Sequence, residues 1–307
     1  MTPTALPRGG SAPNRTWPLY RSCSGVALDL GSARTRAWVS VRGTILDVPT
    51  VAFPGEGDVH PIQRGAIVDT AAAARMLDRL LRHRLPRFGR RLIVLTTPVL
   101  GGVAFRSEAR SALETLGAHT VLTVPSARAV ATAAGADLTR PLLVVDIGAH
   151  VTEAVLLVDG SVTDARRTLL GISDLDSRTP ATQIADAVTE MVTLMVEQDR
   201  PPQTLDALRR GVLLAGGGAL RADITHGLAT RLRHPVRPVP APHTAAVRGA
   251  AALLDSARIT PRPGRAALRD HVVRADRRAV STRRGQSSAR RSSGSAGRGT
   301  CPTVTRR

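Results

Sequence analysis

Lysine is missing from this 307-residue chain: the 43 Lys-plus-Arg positions are all arginine, against 24 acidic residues, for a formal net charge of +19. Aromatic residues make up only 2% of the chain, which excludes a surface built to stack nucleic-acid bases on rings. Two cysteines occur, Cys23 and Cys301, near opposite ends and in no metal-ligand spacing. That excludes a disulfide framework and favours a reducing compartment. There is no run of about 18 apolar residues, and the first residues lack the basic, apolar, small-residue order of a secretion signal. The expected location is therefore the cytoplasm, at most peripheral at the inner face of a membrane, with no transmembrane segment.

Hydrophobic residues at 42% suffice for a substantial core. Residues 1–24 are rich in Pro, Ser, Gly and Arg without apolar periodicity and read as a flexible leader. Arg258 to Arg307 carries fourteen arginines against Asp270 and Asp276, so +12 of the total +19 sits in this segment. A stretch so rich in Ser, Gly and Arg buries too little apolar surface to offset its ordering entropy, and it reads as a disordered tail.

Between these ends the chain repeats itself. Val26-Ala-Leu-Asp-Leu-Gly-Ser-Ala-Arg-Thr35 lies over Leu143-Val-Val-Asp-Ile-Gly-Ala-His-Val-Thr152 at an offset of 117 residues. In that one register Asp29 meets Asp146, Gly31 meets Gly148, Thr35 meets Thr152, Gly43 meets Gly160 and Asp47 meets Asp164. A single Asp-x-Gly after a strand is common, but five matches in one register indicate a duplicated unit. Each copy reads as a strand, a Gly turn, a second strand, a further Gly turn (Arg42-Gly43, Asp159-Gly160) and a third strand.

Helical periodicity follows each three-stranded unit. In the first half the pattern predicts a helix over 70–85, a strand over 92–95, a helix over 107–116, a strand over 121–124 and a helix from Ser126, as N-cap, to Ala134. In the second it predicts a helix over 181–196, a strand over 212–215, a helix through 220–232, a short strand near Val236 and a helix over 243–254. The expected fold class is α/β: two similar lobes, residues 25–137 and 138–257, with a cleft between them.

A duplicated hairpin with an Asp before a Gly-containing tip suits phosphate binding between lobes. Backbone N–H groups at the tips can donate to phosphate oxygens, and two facing carboxylates can hold the waters of a Mg²⁺ ion. A third element, Leu213-Leu-Ala-Gly-Gly-Gly-Ala-Leu220, is an apolar strand running into three glycines before a helix. Its glycines allow a flat or anionic ligand to approach the backbone closely.

The order and wording of these elements resemble the actin, sugar-kinase and heat-shock-chaperone ATPase superfamily, and within it the MreB cell-shape family. Leu28 to Thr35 is similar to its first phosphate loop, Val145 to Glu153 to its second, and Leu214 to Leu220 to its adenosine loop. His60 to Asp69 resembles the segment entering the first helix, and Ala246-Val-Arg-Gly-Ala250 the closing helix of the second lobe. The resemblance implies two ribonuclease-H-like lobes and an ATP and Mg²⁺ site. Its nucleotide contacts would come from Asp29, Gly31, Ser32, Ala33, Arg34, Asp146, Gly148, Ala149, His150, Gly216, Gly217, Gly218 and Ala219. Asp29 and Asp146 would hold the metal through waters.

The departures from the family shape the expected function. Each lobe of the relatives carries a small inserted subdomain, IB and IIB, whereas here Phe53 to Pro61 and about ten residues before Ala181 stand in their places. The chain is therefore expected to keep subdomains IA and IIA only. The position before Pro125, where the family has a residue that orients the attacking water, is Val124, which can neither accept a proton nor align water. Two glycines of the second loop are Ala149 and His150. His150 reads either as a donor to phosphate or as a surface and packing residue.

The resemblance thus implies a cytoskeletal accessory in cell shape or cell-wall morphogenesis, with impaired ATP hydrolysis and a full-length MreB-type filament as partner. The alternatives are a functional ATP-binding actin-like protein and a nucleic-acid or anionic-lipid binder acting through the arginine tail, nucleic acid being the less favoured.

Overall fold

The computed structural model describes residues 24–53, 57–86, 91–199 and 201–259. All of the expected leader except Ser24, and most of the expected tail, including Cys23 and Cys301, lie outside the described residues; Ser24 opens the first strand.

The first half opens with the antiparallel strands β1 (Ser24–Leu30), β2 (Arg34–Val39) and β3 (Thr44–Pro49). A short hairpin, β4 (Ile62–Gln63) and β5 (Ala66–Ile67), leads to α1 (Thr70–Leu81). Then come β6 (Arg91–Thr97), α2 (Gly102–Glu114), β7 (Thr120–Pro125) and α3 (Ser126–Ala133). The second half repeats the plan with β8 (Leu142–Ile147), β9 (Thr152–Val158), β10 (Ser161–Thr168) and α4 (Ala181–Gln198). It continues through α5 (Gln203–Arg210), β11 (Val212–Ala215), α6 (Ala222–Leu232), β12 (Val236–Pro238) and α7 (Ala245–Ile259).

The two five-stranded sheets have the same topology, β3-β2-β1-β6-β7 and β10-β9-β8-β11-β12. In each, a meander supplies the antiparallel side and crossover helices supply parallel neighbours. The repeat in the sequence is therefore a repeat in space. The central strands β1 and β8 are nearly fully buried, as their unbroken apolar runs require of strands covered on both faces.

One face of the first sheet is closed by α1 and α2, whose Ala72, Ala73, Leu77, Phe105, Ala109 and Leu113 pack with Leu28, Ile93 and Leu95. The corresponding face of the second sheet is closed by α4, α5 and α6 through Ile184, Val188, Leu208, Ile224 and Leu228. On the inner faces the helices are exchanged between halves. Helix α3, from the first half, packs Ala127, Val130 and Ala131 on Val144, Val155 and Leu157 of the second sheet. Helix α7, from the second half, packs Val247, Ala250 and Leu254 on Ala27 and Val94 of the first. The two helices meet where Gly249 faces the Ala129 carbonyl so closely that a Cβ would overlap it.

Several boundaries differ from the pattern-based expectation. The helix expected over 70–85 stops at Leu81 and tightens into a 3-10 turn over 82–84, because Leu85 precedes Pro86 and takes an extended conformation (φ −97°, ψ 142°). Its start is fixed by Asp69, whose side chain accepts the Ala72 N–H at 2.7 Å. Helix α2 begins at Gly102, five residues before the periodicity suggests, since Gly101-Gly102 reads as a breaker. Ser126 is not the N-cap of α3 but its first helical residue; Pro125 occupies the cap position, with no side-chain cap bond. The helix expected through 220–232 is a 3-10 turn over 217–220 and then α6, with Arg221 extended between them. Helix α7 starts at Ala245 after a 3-10 turn over 242–244. Both α5 and the β4–β5 hairpin were outside the expected elements.

Candidate functional site

The β1–β2 and β8–β9 hairpins end in equivalent tips. In the first, the Gly31 N–H donates to the Arg34 carbonyl at 3.1 Å; in the second, the Gly148 N–H donates to the Val151 carbonyl at 2.8 Å. These bonds close the two turns. Among the described residues no acceptor takes the N–H groups of Ser32, Ala33, Ala149 or His150. Four free backbone donors on two facing tips form an anion-binding concavity.

Both tips are stapled by buried threonines at matching positions. The Thr35 hydroxyl pairs with that of Thr50 at 2.9 Å, and Thr50 in turn donates to the Gly31 carbonyl at 2.7 Å. Thr152 donates to the Leu170 carbonyl at 2.8 Å. The second tip is also covered by a 3-10 turn over 172–174, where Ile172 and Ser173 donate to the Gly148 and Ala149 carbonyls at 3.0 and 2.8 Å. The non-Gly residues Ala149 and His150 do not have positive φ, so the loop accepts them without backbone strain of that kind.

The tips line a cleft of about 440 Å³. It brings together Asp29, Gly31, Ser32, Ala33, Arg34, Asp146, Gly148, Ala149, His150, Gly216 and Gly217. Gly216 has φ +82° and passes so close to Asp146 and the Ile147 carbonyl that any Cβ would collide with them. Gly218 and Ala219 are buried behind the cleft, where Gly218 packs on Ile147 without lining the cavity. Val124 is not a lining residue either, and joins the apolar cluster under α7. From the β7–α3 junction the cleft receives Ser126 and Val130.

The two duplicated aspartates have different neighbours. Asp29 accepts a 2.8 Å bond from the Thr96 hydroxyl, and the Arg36 guanidinium stands 3.7 Å away. Burial pushes its carboxyl above the ordinary range, while Thr96 and Arg36 pull it back. Asp146 is flanked across the ladder by Glu153 and Ala215. Burial first, then the charges of Asp29 and Glu153, push it up to about 7.

Arg36, Thr96 and Glu153 are cleft residues beyond the expected set. Arg36 also bonds Asp47 at 3.2 Å, alongside Arg34 on the same carboxylate at 2.6 Å. Glu153 is buried and accepts the Val99 and Leu100 N–H groups at 3.0 and 3.1 Å, which ties β9 to the segment after β6. Burial raises its carboxyl as well. In the sequence the one signal for Arg36 and Glu153 is the matching repeat position, 117 residues apart; the pairing register sets each directly opposite its half's aspartate across the hairpin.

A nucleotide with its magnesium fits these donors. The four free amides and Ser32 suit phosphate oxygens, and Asp29 and Asp146 can hold the waters of a hydrated cation. Among the described residues no group of three or more His, Cys, Asp or Glu side chains could hold a metal ion directly. No helix among the described residues is long and apolar enough to cross a membrane.

Residues 57–179 match the family model for MreB/Mbl protein. The fold is similar to that of MreB5 of Spiroplasma citri bound to ADP, with a TM-score of 0.67 and 17% identity over 77% of this chain and 98% of that one. It is also similar to the same protein bound to AMPPNP, with a TM-score of 0.68 and 17% identity over 77% of this chain and 97% of that one. A MamK double helical filament superposes with a TM-score of 0.65 and 16% identity, over 78% of this chain and 100% of that one. No curated protein matches the sequence. The connections 50–69 and 169–180, where the resemblance would place two small subdomains, hold only the β4–β5 hairpin, an isolated bridge and one 3-10 turn among the described residues. The duplicated fold is thus that of the actin-like proteins, and the segment 57–179 is similar to the MreB/Mbl family.

Proposed function

We propose that this chain is an accessory of complete MreB-type filaments in cell shape or cell-wall morphogenesis, holding ATP with Mg²⁺ in its cleft and hydrolysing it far more slowly than its relatives. The observation that carries nucleotide binding is the pair of facing tips, with four free amides around Asp29 and Asp146. The proposed contacts are Asp29, Gly31, Ser32, Ala33, Arg34, Asp146, Gly148, Ala149, His150, Gly216 and Gly217. Gly218 and Ala219 act by shaping the loop. The MreB5 structures with ADP and AMPPNP support the same reading.

Slow hydrolysis is supported by what stands near the phosphates. The β7–α3 junction offers the Ser126 hydroxyl where a carboxylate or amide would be needed to orient water. Glu153 favours the second reading, a functional ATPase, because it places a carboxylate in the cleft. Both of its oxygens already accept backbone N–H groups, which weakens it as a base.

The accessory role follows from the short connections at 50–69 and 169–180. A subunit lacking one of two complementary faces can cap or decorate a polymer without propagating it. The arginines of 258–307 would add attraction to anionic lipid, about 1 kcal/mol for each side chain near the surface.

Calorimetric titration with ATP and Mg²⁺, steady-state phosphate release, and electron microscopy after sedimentation test these statements together. Binding with negligible release, and association with a complete MreB-type polymer but no protofilaments from the chain alone, is the expected outcome. Release at a complete relative's rate, abolished by Asp146→Ala, would overturn the slow-hydrolysis reading; ordered protofilaments from this chain alone would overturn the accessory role.

A further inference from the structure

The β4–β5 hairpin reaches across the mouth of the cleft and touches both halves. Its loop is Arg64-Gly65, two residues between the paired positions Gln63 and Ala66, with φ of +46° and +75°. Positive φ at both places is the geometry of a type I′ turn, which favours Asn or Gly at the first position. Arginine there is sterically disfavoured, so local turn chemistry does not account for it.

What accounts for it lies in the other half. Arg64 donates through Nη1 to the Leu169 carbonyl at 2.7 Å and through Nη2 to the Asp174 carboxylate at 2.8 Å. Asp174 uses its other oxygen to accept the Gly171 N–H at 2.9 Å, capping the 3-10 turn that covers the second tip. On the near side, the Gly65 N–H donates to the Ser32 hydroxyl of the first tip at 3.2 Å. A methyl on Gly65 would rest 3.4 Å from the Val151 side chain, at the end of the second tip. One two-residue loop therefore holds both tips at once.

We propose that Arg64 is the catch of a clasp that closes the cleft mouth and governs entry to both tips. The clasp is built to open. Arg64 is half exposed, and an exposed ion pair shifts a conformational balance only several-fold. The deeper ties between halves are sequestered: Glu153 is buried under the Val99 and Leu100 amides, and α3 meets α7 backbone to backbone, Ala129 against Gly249. Motion is thus directed to the mouth while the base holds. Gating of a nucleotide by this clasp rests on the function proposed above; the clasp itself does not.

Arg64→Asn is the decisive variant, because Asn suits the turn better than Arg and cannot span to Leu169 and Asp174. In the full chain without ligand, hydrogen exchange at the amides that bond onto the tips and their cover, Gly65, Gly171, Ile172 and Ser173, is expected to rise about threefold or more, with the melting temperature unchanged and Val99 and Leu100 as protected as before. Exchange of a fluorescent ATP analogue with excess ATP should accelerate in parallel. Arg64→Asp combined with Asp174→Arg should restore protection that Arg64→Asp alone removes. Unchanged exchange at these amides in Arg64→Asn, or failure of the double reversal to restore their protection, would overturn the clasp. Raised exchange there together with no ATP binding by the unmodified protein would instead overturn the nucleotide reading and leave the clasp standing.

Discussion

Asp29 and Asp146 occupy the same place in two copies of one design, and their surroundings set them apart. The strand beside Asp29 presents Thr96, whose hydroxyl it accepts; the equivalent strand beside Asp146 presents Ala215. Across the hairpin, Asp29 faces Arg36, and Asp146, 117 residues on, faces Glu153. A hydroxyl and a cation have become a methyl and an anion. Burial raises both carboxyls: Thr96 and Arg36 pull the first back, whereas the charges of Asp29 and Glu153 add to the rise of the second, up to about 7. Duplication conserved the turn that points the carboxylate, while divergence of two neighbours gave each half its own proton affinity.

The largest expected effect tests whether the halves can be treated as separate copies. Gly249→Ala forces a methyl into the Ala129 carbonyl at the one crossing of the exchanged helices and should cost about 3 kcal/mol in urea denaturation. A cost under about 0.5 kcal/mol would mean that the helices part freely and the halves stand alone.

Next come the aspartates themselves. At pH 8 without metal, Asp146→Asn removes a buried, unpaired charge and should raise the melting temperature by about 3 °C or more. Asp29→Asn should gain less, since it removes one of the two carboxylates beside Arg36 and leaves that guanidinium with Asp47 alone. Equal gains would erase the contrast between the halves.

The pH profile follows from the same shift. A carboxyl raised in the folded state binds its proton more tightly there than in the unfolded chain, so its contribution is full below the ordinary value near 4 and is lost as pH rises towards about 7. Asp29 and Glu153 act in the same direction. Thermal stability without metal should therefore fall between pH 5 and pH 8, and Asp146→Asn should flatten most of that slope. A rising profile would contradict the assigned environment.

The smallest effect is a partial conversion of one half into the other. Ala215→Ser places a hydroxyl where the first half has Thr96, and should lower the apparent titration of Asp146 by about one pH unit. No movement would show that the charge of Glu153, and not the missing hydroxyl, separates the two sites.

Much of the architecture was legible because it is periodic. The two apolar strands, the Asp-x-Gly tips, the Gly216–Gly218 loop and the long helices all stand out as alternation, 3.6-residue spacing or glycine punctuation. Helix α5 did not stand out. It is eight residues long and buries only Thr204, Ala207 and Leu208, too few for a periodic signal. The β4–β5 hairpin has two-residue strands, and its loop residue Arg64 contradicts the usual turn chemistry. Arg36 and Glu153 were hidden for another reason: they carry no motif of their own, and only the pairing register sets them opposite the aspartates.

By itself, then, the sequence determined the duplication, the order of the longer strands and helices, and the residues that form the two tips, because these depend on local spacing and on glycine at particular turns. The tertiary structure alone decided the exchange of α3 and α7 between sheets, the packing of Val124 against the cluster under α7, the tie from Glu153 to Val99 and Leu100, and the clasp from Arg64 to Asp174. It also decided what stands beside each aspartate, a hydroxyl and a cation in one half and a methyl and an anion in the other. Those outcomes depend on residues far apart in the chain coming within a few ångströms, where desolvation and neighbouring charge act, and no local pattern encodes that distance.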